Sequence, residues 1–347
     1  MNFTHAFFNK FNVNIPNFKL NNGMEMPALG FGTWLGLNEK TELQISDAPK
    51  LVDAMLYAID IGYSLFDTAH LYRVEPEVGY VINKKIEEGV IRREDVFVTT
   101  KVWQHNHRAK DVVSSVQASL RRMGLDYIDL VLIHWPMSID QNGVDEKIDY
   151  LETYRGLEDA LKDGLAKSIG VSNFNLEQMK RLLANCQIKP VVNQIQVNLN
   201  LLEKDLVSYC QAQDVLVVSY SSFGAMTHAA ANTPKPKLDD PCLVKMGEKY
   251  GKTVTQLVLR FLYQRGLATI PKSLTKSRIL ENALIFDFEI DKNDVAILEK
   301  FDCGFRSDCP SFWQEYTHYP FKKEIVLSNK IPESLLKWKN GANLDID

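Results

Sequence analysis

Four side chains that could share one piece of chemistry stand at the ends of three consecutive apolar runs of this chain. Residues 64–69 deliver Asp67 and lead on to Tyr72, residues 96–102 deliver Lys101, and residues 128–135 deliver His134. Such a set suits reduction of a carbonyl by hydride, which needs a proton donor at the oxygen. A phenol has a reference pKa near 10, well above neutral, so a nearby cation is expected to bring it down. Lys101 supplies that charge, Asp67 holds the lysine by an ion pair that a cavity screens poorly, and His134 is a neutral donor that orients the carbonyl. Taken singly, each residue has a plainer use. Asp67 suits a helix cap or ion pair, Lys101 a solvated surface, and His134 the interior of an apolar core. Their shared placement at the same end of consecutive runs is what argues for joint work.

The elements that must position them are legible as a rhythm. From residue 29 onward, short β-branched runs alternate with amphipathic stretches, the pattern of repeated βα units on a parallel sheet. Eight runs can be counted, at 29–34, 64–69, 96–102, 128–135, 166–172, 191–197, 216–221 and 267–271. Eight units imply an α/β fold closed as a (β/α)8 TIM barrel, whose active sites gather at the C-terminal ends of the strands. Between residues 111 and 124, Val112, Val113, Val116, Leu120 and Met123 recur at three- and four-residue steps and Gly124 ends the run, which predicts a helix. Ahead of the first unit, Phe18-Lys19-Leu20 and Met24-Glu25-Met26 flank Asn21-Asn22-Gly23, predicting an N-terminal β-hairpin that plugs the barrel's bottom.

Two segments break the rhythm. Residues 223–240 are small and Pro-containing, too long for a routine loop, and are expected to form a mobile loop over a ligand. The last stretch carries Phe305, Phe312, Trp313, Tyr316, Tyr319 and Phe321 without periodicity, and is expected as an ordered C-terminal loop covering an apolar surface, frayed over 341–347. The resulting division is an extension at 1–17, a barrel domain at 18–321 and a C-terminal extension at 322–347.

Composition narrows the partners. A charged share of 24% and a hydrophobic share of 45% are those of a globular protein able to bury a large core. A net charge of -4 argues against nucleic acid and for a small-molecule substrate. Cys186, Cys210, Cys242, Cys303 and Cys309 are odd in number and widely spaced, as for reduced thiols, with Cys303 and Cys309 read as packed thiols of the C-terminal loop. The N-terminus lacks a secretory apolar core, the first arginine is Arg73, and no run approaches a membrane span, so the cytoplasm is expected. His105-Asn106-His107 has a metal-ligand look but no partnering acid-and-histidine set at other strand ends, and no metal is expected. Residues 29–36 have two glycines of a dinucleotide fingerprint, yet Leu35 stands where the third belongs, so they are read as strand one with Trp34 at the pocket.

Longer motifs in this order resemble the aldo-keto reductase family. They are Gly62-Tyr63-Ser64-Leu65-Phe66-Asp67-Thr68-Ala69 with Tyr72, then Lys101, then Tyr127-Ile128-Asp129-Leu130 and His134-Trp135-Pro136. Lys167-Ser168-Ile169-Gly170-Val171-Ser172-Asn173-Phe174 and Ile270-Pro271-Lys272-Ser273, with Arg278, Glu281 and Asn282, continue it, so the likeness runs from Gly23 to Phe321. Within the family it is similar to the aldose/aldehyde reductases and resembles an insect 3-dehydroecdysone reductase-like member. The resemblance implies Tyr72 as acid, Lys101 and Asp67 as its tuning pair, and His134 as orienting group. It implies NADPH/NADP+ as cofactor, with Ser172, Asn173 and Gln194 at the nicotinamide carboxamide and Tyr220 stacked on the ring. The resemblance also implies Thr33, Trp34, Ser221 and Phe223 as further cofactor contacts. Lys272, Ser273 and Arg278 match the grip on the 2′-phosphate, and Glu281 and Asn282 the adenine.

Trp34, Trp135, Phe174 and Trp313 match apolar pocket positions. Two departures bear on the pocket: the segment 136–150 is shorter than in many vertebrate members, which removes part of one wall, and Phe223 replaces a usual leucine. Bulky hydrophobic carbonyls are therefore expected, such as steroid-like ketones, isoprenoid or long-chain aldehydes and quinones. The family also implies a monomer. Because the same fold serves channel-associated and lens structural proteins, a non-enzymatic NADPH-binding role is the competing reading.

Overall fold

Strands covered on both faces must be apolar throughout, and the short runs meet that condition. The computed structural model describes residues 13–37, 42–227 and 233–321. A hairpin of β1 (Asn17–Lys19) and β2 (Glu25–Pro27) precedes eight parallel strands. These are β3 (Phe31–Gly32), β4 (Leu65–Asp67), β5 (Phe97–Val102), β6 (Leu130–Ile133), β7 (Ile169–Ser172), β8 (Val192–Gln196), β9 (Leu216–Tyr220) and β10 (Ala268–Thr269). They lie side by side in chain order from β3 to β10. Leu29 bridges Thr269 in parallel, Gly30 N donates to Thr269 O at 2.8 Å, and Thr269 N donates to Ala28 O at 3.0 Å, which joins the first strand to the last and closes the barrel.

The helices are α1 (Ala48–Asp60), α2 (Glu75–Glu87), α3 (Ala109–Met123), α4 (Tyr150–Lys162), α5 (Leu176–Asn185), α6 (Lys204–Ala212), α7 (Pro241–Tyr250), α8 (Val254–Gln264), α9 (Lys276–Ala283) and α10 (Lys292–Leu298). One follows each of β3 to β8, whereas β9 and β10 are each followed by two. In α3 the expected face is buried through Val112, Val116, Leu120 and Met123, and Gly124 closes the helix at a φ of 62°. Gly79 lets α2 approach that end: a Cβ there would stand 2.1 Å from Met123 O.

The hairpin plugs the barrel as its sequence predicts. Leu20 and Met26 pack with Leu65, Phe97, Leu130, Leu132, Val192 and Val218 inside the sheet, and Asn21 Nδ2 donates to Pro190 O at 2.9 Å and Asp214 O at 3.0 Å, both just ahead of strand starts. A second core lies between strands and helices. At the opposite end, Leu71, Trp103, Trp135, Met137, Ile139 and Trp313 form a third cluster, against which Phe312, Tyr316, Tyr319 and Phe321 of the C-terminal segment pack. The expected cover over an apolar surface is therefore real through residue 321. The extensions at 1–12 and 322–347, and the fraying expected at 341–347, lie outside the described residues. So does the middle of the long loop after β9, whose flanks are tied where Lys237 Nζ donates to Ala225 O at 2.8 Å. Among the described residues no helix is long and apolar enough to cross a membrane.

Candidate active site

The C-terminal ends of β4, β5 and β6 bring the four polar groups together. After β4 the chain makes one tight turn, His70–Tyr72, ended by Arg73 at a φ of 56°. That turn returns Tyr72 over the strand ends. Lys101 projects from β5 with its side chain 0% exposed, and its Nζ has three acceptors: Asp67 Oδ1 at 2.5 Å, Thr68 O at 2.9 Å and Tyr72 Oη at 3.4 Å. An ammonium has three N–H groups, so this buried cation is fully satisfied. The second carboxylate oxygen of Asp67 accepts from Gln194 Nε2 at 2.7 Å, and Thr33 Oγ1 donates to Asp67 O at 2.9 Å. Both ends of the ion pair are thus held by the barrel.

The electrostatics differ from the sequence expectation at one point. Burial pushes the Tyr72 phenol well above its usual range, and the charges of Asp67 and Asp308 push the same way. Desolvation is the largest effect, and Lys101, itself paired with Asp67 at 2.5 Å, is not among the causes of the shift. Tyr72 is accordingly a protonated donor. Burial also draws Lys101 downward, opposed by Asp67. Burial, followed by the Lys101 charge, drives His134 far below the ordinary imidazole value, so it is neutral as expected. Its ring lies edge-on to Tyr72 at 5.7 Å, and its Nδ1 is buried with no hydrogen-bond partner among the described residues.

Ser172, Asn173, Gln194 and Tyr220 also meet, at the ends of β7, β8 and β9. Asn173 has a φ of 63°, which turns its amide inward: Nδ2 donates to His134 O at 2.9 Å and Oδ1 accepts from Tyr220 OH at 2.6 Å. Ser172 Oγ donates to Gln194 O at 2.8 Å. Gln194, expected at a carboxamide, spends an amide hydrogen on Asp67. Ser221 and Phe223 follow on the next turn, where Ser221 takes a φ of 47°.

Farther out, Lys272 and Ser273 follow β10 and Arg278 lies in the first turns of α9. Lys272 and Arg278 are exposed, and neither has a carboxylate in ion-pair range among the described residues. Two cations without an ion pair among the described residues, Lys272 feeling only the charge of Asp47, stand beside Ser273 and fit a phosphate dianion. Asn282 is buried nearby, but Glu281 faces α8, where its Oε1 accepts from Thr253 at 2.8 Å and Thr255 at 2.6 Å. Its carboxylate is therefore part of a helix contact.

Aromatic rings cluster beside Tyr72 and His134. Trp34 lies 5.0 Å from Tyr72, and Trp313 lies 6.1 Å from Trp135. Phe174 is not among them. It is buried against Tyr150 at 5.1 Å in the layer between barrel and helices, because the left-handed turn at Asn173 sends the following side chain outward. In its stead stands Trp103, absent from the sequence reading, with its ring 5.2 Å from His134 and 5.8 Å from Trp313. The strand period of two, counted from Lys101, was the signal for it. The same count from Gln194 leads to Gln196, which binds the C-terminal segment through Ser307 Oγ at 2.7 Å. Among the described residues no cluster of His, Cys, Asp and Glu could hold a metal ion.

None of these side chains can itself carry a hydride, so a barrel with this mouth is the scaffold of a dinucleotide-dependent oxidoreductase. Residues 28–302 match the model of the Aldo/keto reductase family, and the chain belongs to that family. It is similar to the silkworm Bombyx mori aldo-keto reductase AKR2E5, whose crystal structure superposes with a TM-score of 0.90 at 63% identity, over 95% of this chain and all of that one. The same enzyme complexed with NADPH gives a TM-score of 0.91. Bombyx mori aldo-keto reductase AKR2E4 is 41% identical over 309 residues, covering 89% of this chain and 99% of its own, and its structure in complex with NADP superposes with a TM-score of 0.85. A rat 3-alpha-hydroxysteroid dehydrogenase is 35% identical over 320 residues, covering 88% of this chain and 97% of its own.

Proposed function

We propose that this aldo-keto reductase reduces aldehydes and ketones to alcohols with Tyr72 as the general acid, on bulky hydrophobic carbonyl substrates. The observation that supports it most is the buried Lys101, whose three acceptors include both Asp67 and the Tyr72 hydroxyl. The chain is an NADPH-dependent enzyme of its family, in keeping with the NADPH and NADP complexes of its silkworm relatives. When bound, the cofactor supplies the hydride. Lys272, Ser273 and Arg278 are the residues to hold its 2′-phosphate, with Asn282 toward the adenine. Ser172, Asn173 and the free edge of Gln194 suit the carboxamide, Tyr220 the ring, and Thr33, Trp34, Ser221 and Phe223 the approach to it.

The proton chemistry belongs to this chain's own residues. Tyr72 Oη, kept protonated by burial, donates to the carbonyl oxygen as negative charge develops there. The Lys101 ammonium, held in place by Asp67, stabilises the phenolate left behind. His134, neutral, donates to the same oxygen and aligns the carbonyl. Trp34, Trp103, Trp135 and Trp313 supply an apolar, water-excluding wall for a hydrophobic body, which agrees with the steroid named for the rat relative. Steroid-like ketones, isoprenoid or long-chain aldehydes and quinones are the classes to assay. The catalytic unit is residues 18–321.

Following NADPH absorbance with an aromatic aldehyde tests the acid. Tyr72→Phe is expected to lower kcat by about 10²–10⁴-fold, the usual worth of general acid catalysis. Equal rates would remove Tyr72 from the mechanism. Absence of turnover by the wild-type enzyme over a broad carbonyl panel would favour a non-enzymatic NADPH-binding protein.

A further inference from the structure

One carboxylate is held over the strand ends that carry the candidate site. Asp308 lies on the segment after α10, and a barrel residue fixes it: Asp308 N donates to Gln196 Oε1 at 3.0 Å while Gln196 Nε2 donates to Ser307 Oγ at 2.7 Å. Gln196 is 0% exposed, ends β8 and pairs in register with Tyr220 of β9. Asp308 is therefore held over the strand ends that carry the site. Arg306, the cation nearest in sequence, is engaged elsewhere, paired with Glu203 and laid 3.8 Å over the Phe321 ring. The Asp308 side chain itself has no hydrogen bond or ion pair among the described residues.

Solvent reaches Asp308, while the protein around it pushes its carboxyl upward against the pull of Arg306. Its charge acts on the phenols of both Tyr72 and Tyr220, so it stands within electrostatic reach of the strand ends over which Gln196 holds it. An ionised carboxylate there is a liability for a wholly apolar substrate, which would strip its water and return nothing. A hydroxyl on the substrate replaces that water with a short charge-assisted bond.

We propose that Asp308 is a specificity-determining residue that accepts a hydrogen bond from a substrate hydroxyl, so that preferred substrates carry a hydroxyl group remote from the reacting carbonyl. Gln196 is its positioning residue. The inference rests on the carbonyl-reductase reading above and narrows its substrate class.

The test uses the full-length enzyme with NADPH and two matched series, the straight-chain aldehydes from heptanal to dodecanal and their ω-hydroxy counterparts. At the best-fitting length, the wild-type kcat/KM is expected to favour the hydroxy compound by about ten- to a hundred-fold, mainly through KM. Asp308→Leu should bring that ratio to about one, raising KM for the hydroxy series and lowering it for the plain one. Asp308→Asn, which keeps an acceptor without the charge, should fall between, and Gln196→Leu should lose part of the preference. NADPH binding, read by fluorescence titration, should be unchanged in both Asp308 variants. Reduction of both series with a ratio near one at every length, or a ratio that survives Asp308→Leu, overturns the inference alone. Reduction of neither series by the wild-type enzyme overturns the carbonyl-reductase reading along with it.

Discussion

Replacing Lys101 by Met removes the only cation, among the described residues, that is ion-paired with the buried Asp67 carboxylate. Asp67, with its side chain 3% exposed, then keeps only Gln194 Nε2 at 2.7 Å on one oxygen, while the other loses a bond of 2.5 Å. Breaking a buried pair by removing one partner costs about 3–5 kcal/mol, because the remaining charge stays desolvated and unpaired. Asp67→Asn should cost a similar amount by stranding the ammonium. In the double variant neither charge remains, and replacing a buried pair by neutral groups is often close to neutral, so its stability should return to within about 2 kcal/mol of wild type. The coupling energy between the two sites is then at least about 3 kcal/mol. Activity should not follow: Tyr72 lacks the ammonium in both the single Lys101 variant and the double, and kcat should stay at least about 10²-fold down in each. Urea unfolding followed by tryptophan fluorescence gives the stabilities, and single-turnover oxidation of NADPH gives the rates. Additive losses of stability would refute the buried-pair reasoning. A double variant with wild-type kcat would refute the role given to the lysine.

Two further outcomes follow from groups at other depths. Lys272→Ala and Arg278→Ala should each raise the KM for NADPH by about ten-fold or more while leaving that for NADH nearly unchanged, as the loss of a charge-assisted contact to a 2′-phosphate requires. Equal effects on both cofactors in steady-state kinetics would count against that assignment. His107, wholly buried, has its pKa lowered to about 3 by burial, so the unfolded chain binds the proton more readily. Its contribution to stability is full above pH about 6.5 and falls as pH drops toward 3, by about 2 kcal/mol between pH 6.5 and 5. In urea titrations over that range, His107→Leu should flatten the pH dependence by about one proton, and an unchanged slope would show that His107 is not the group responsible.

Much of the barrel was legible because parallel strands and their covering helices announce themselves locally. β-branched runs of the right length recur, Gly124 stops a helix whose apolar face can be counted, and Asn22-Gly23 marks a hairpin. The first strand was the least legible: residues 29–34 read as one run, yet only Phe31–Gly32 and a bridge at Leu29 pair, since the closing seam takes its partners from β10. The four polar residues could be named because they fall at the same ends of neighbouring strands, a position set by chain order and strand period.

What the chain by itself determined is thus the repeat, the barrel and the identity of the groups that converge at its mouth, for these depend on patterns within a few residues of one another. Only the tertiary structure decided what those groups do to each other. Gln194 reaches Asp67 across 127 positions and Gln196 reaches Ser307 across 111, and no local pattern encodes either contact. Burial overrode the expected pull of Lys101 on Tyr72 because desolvation depends on everything packed around a group, the charge of one neighbour being a smaller effect. Phe174 went outward for a related reason: a single left-handed residue at Asn173 precedes it, and that residue is held by bonds to His134 and Tyr220 from two other strand ends.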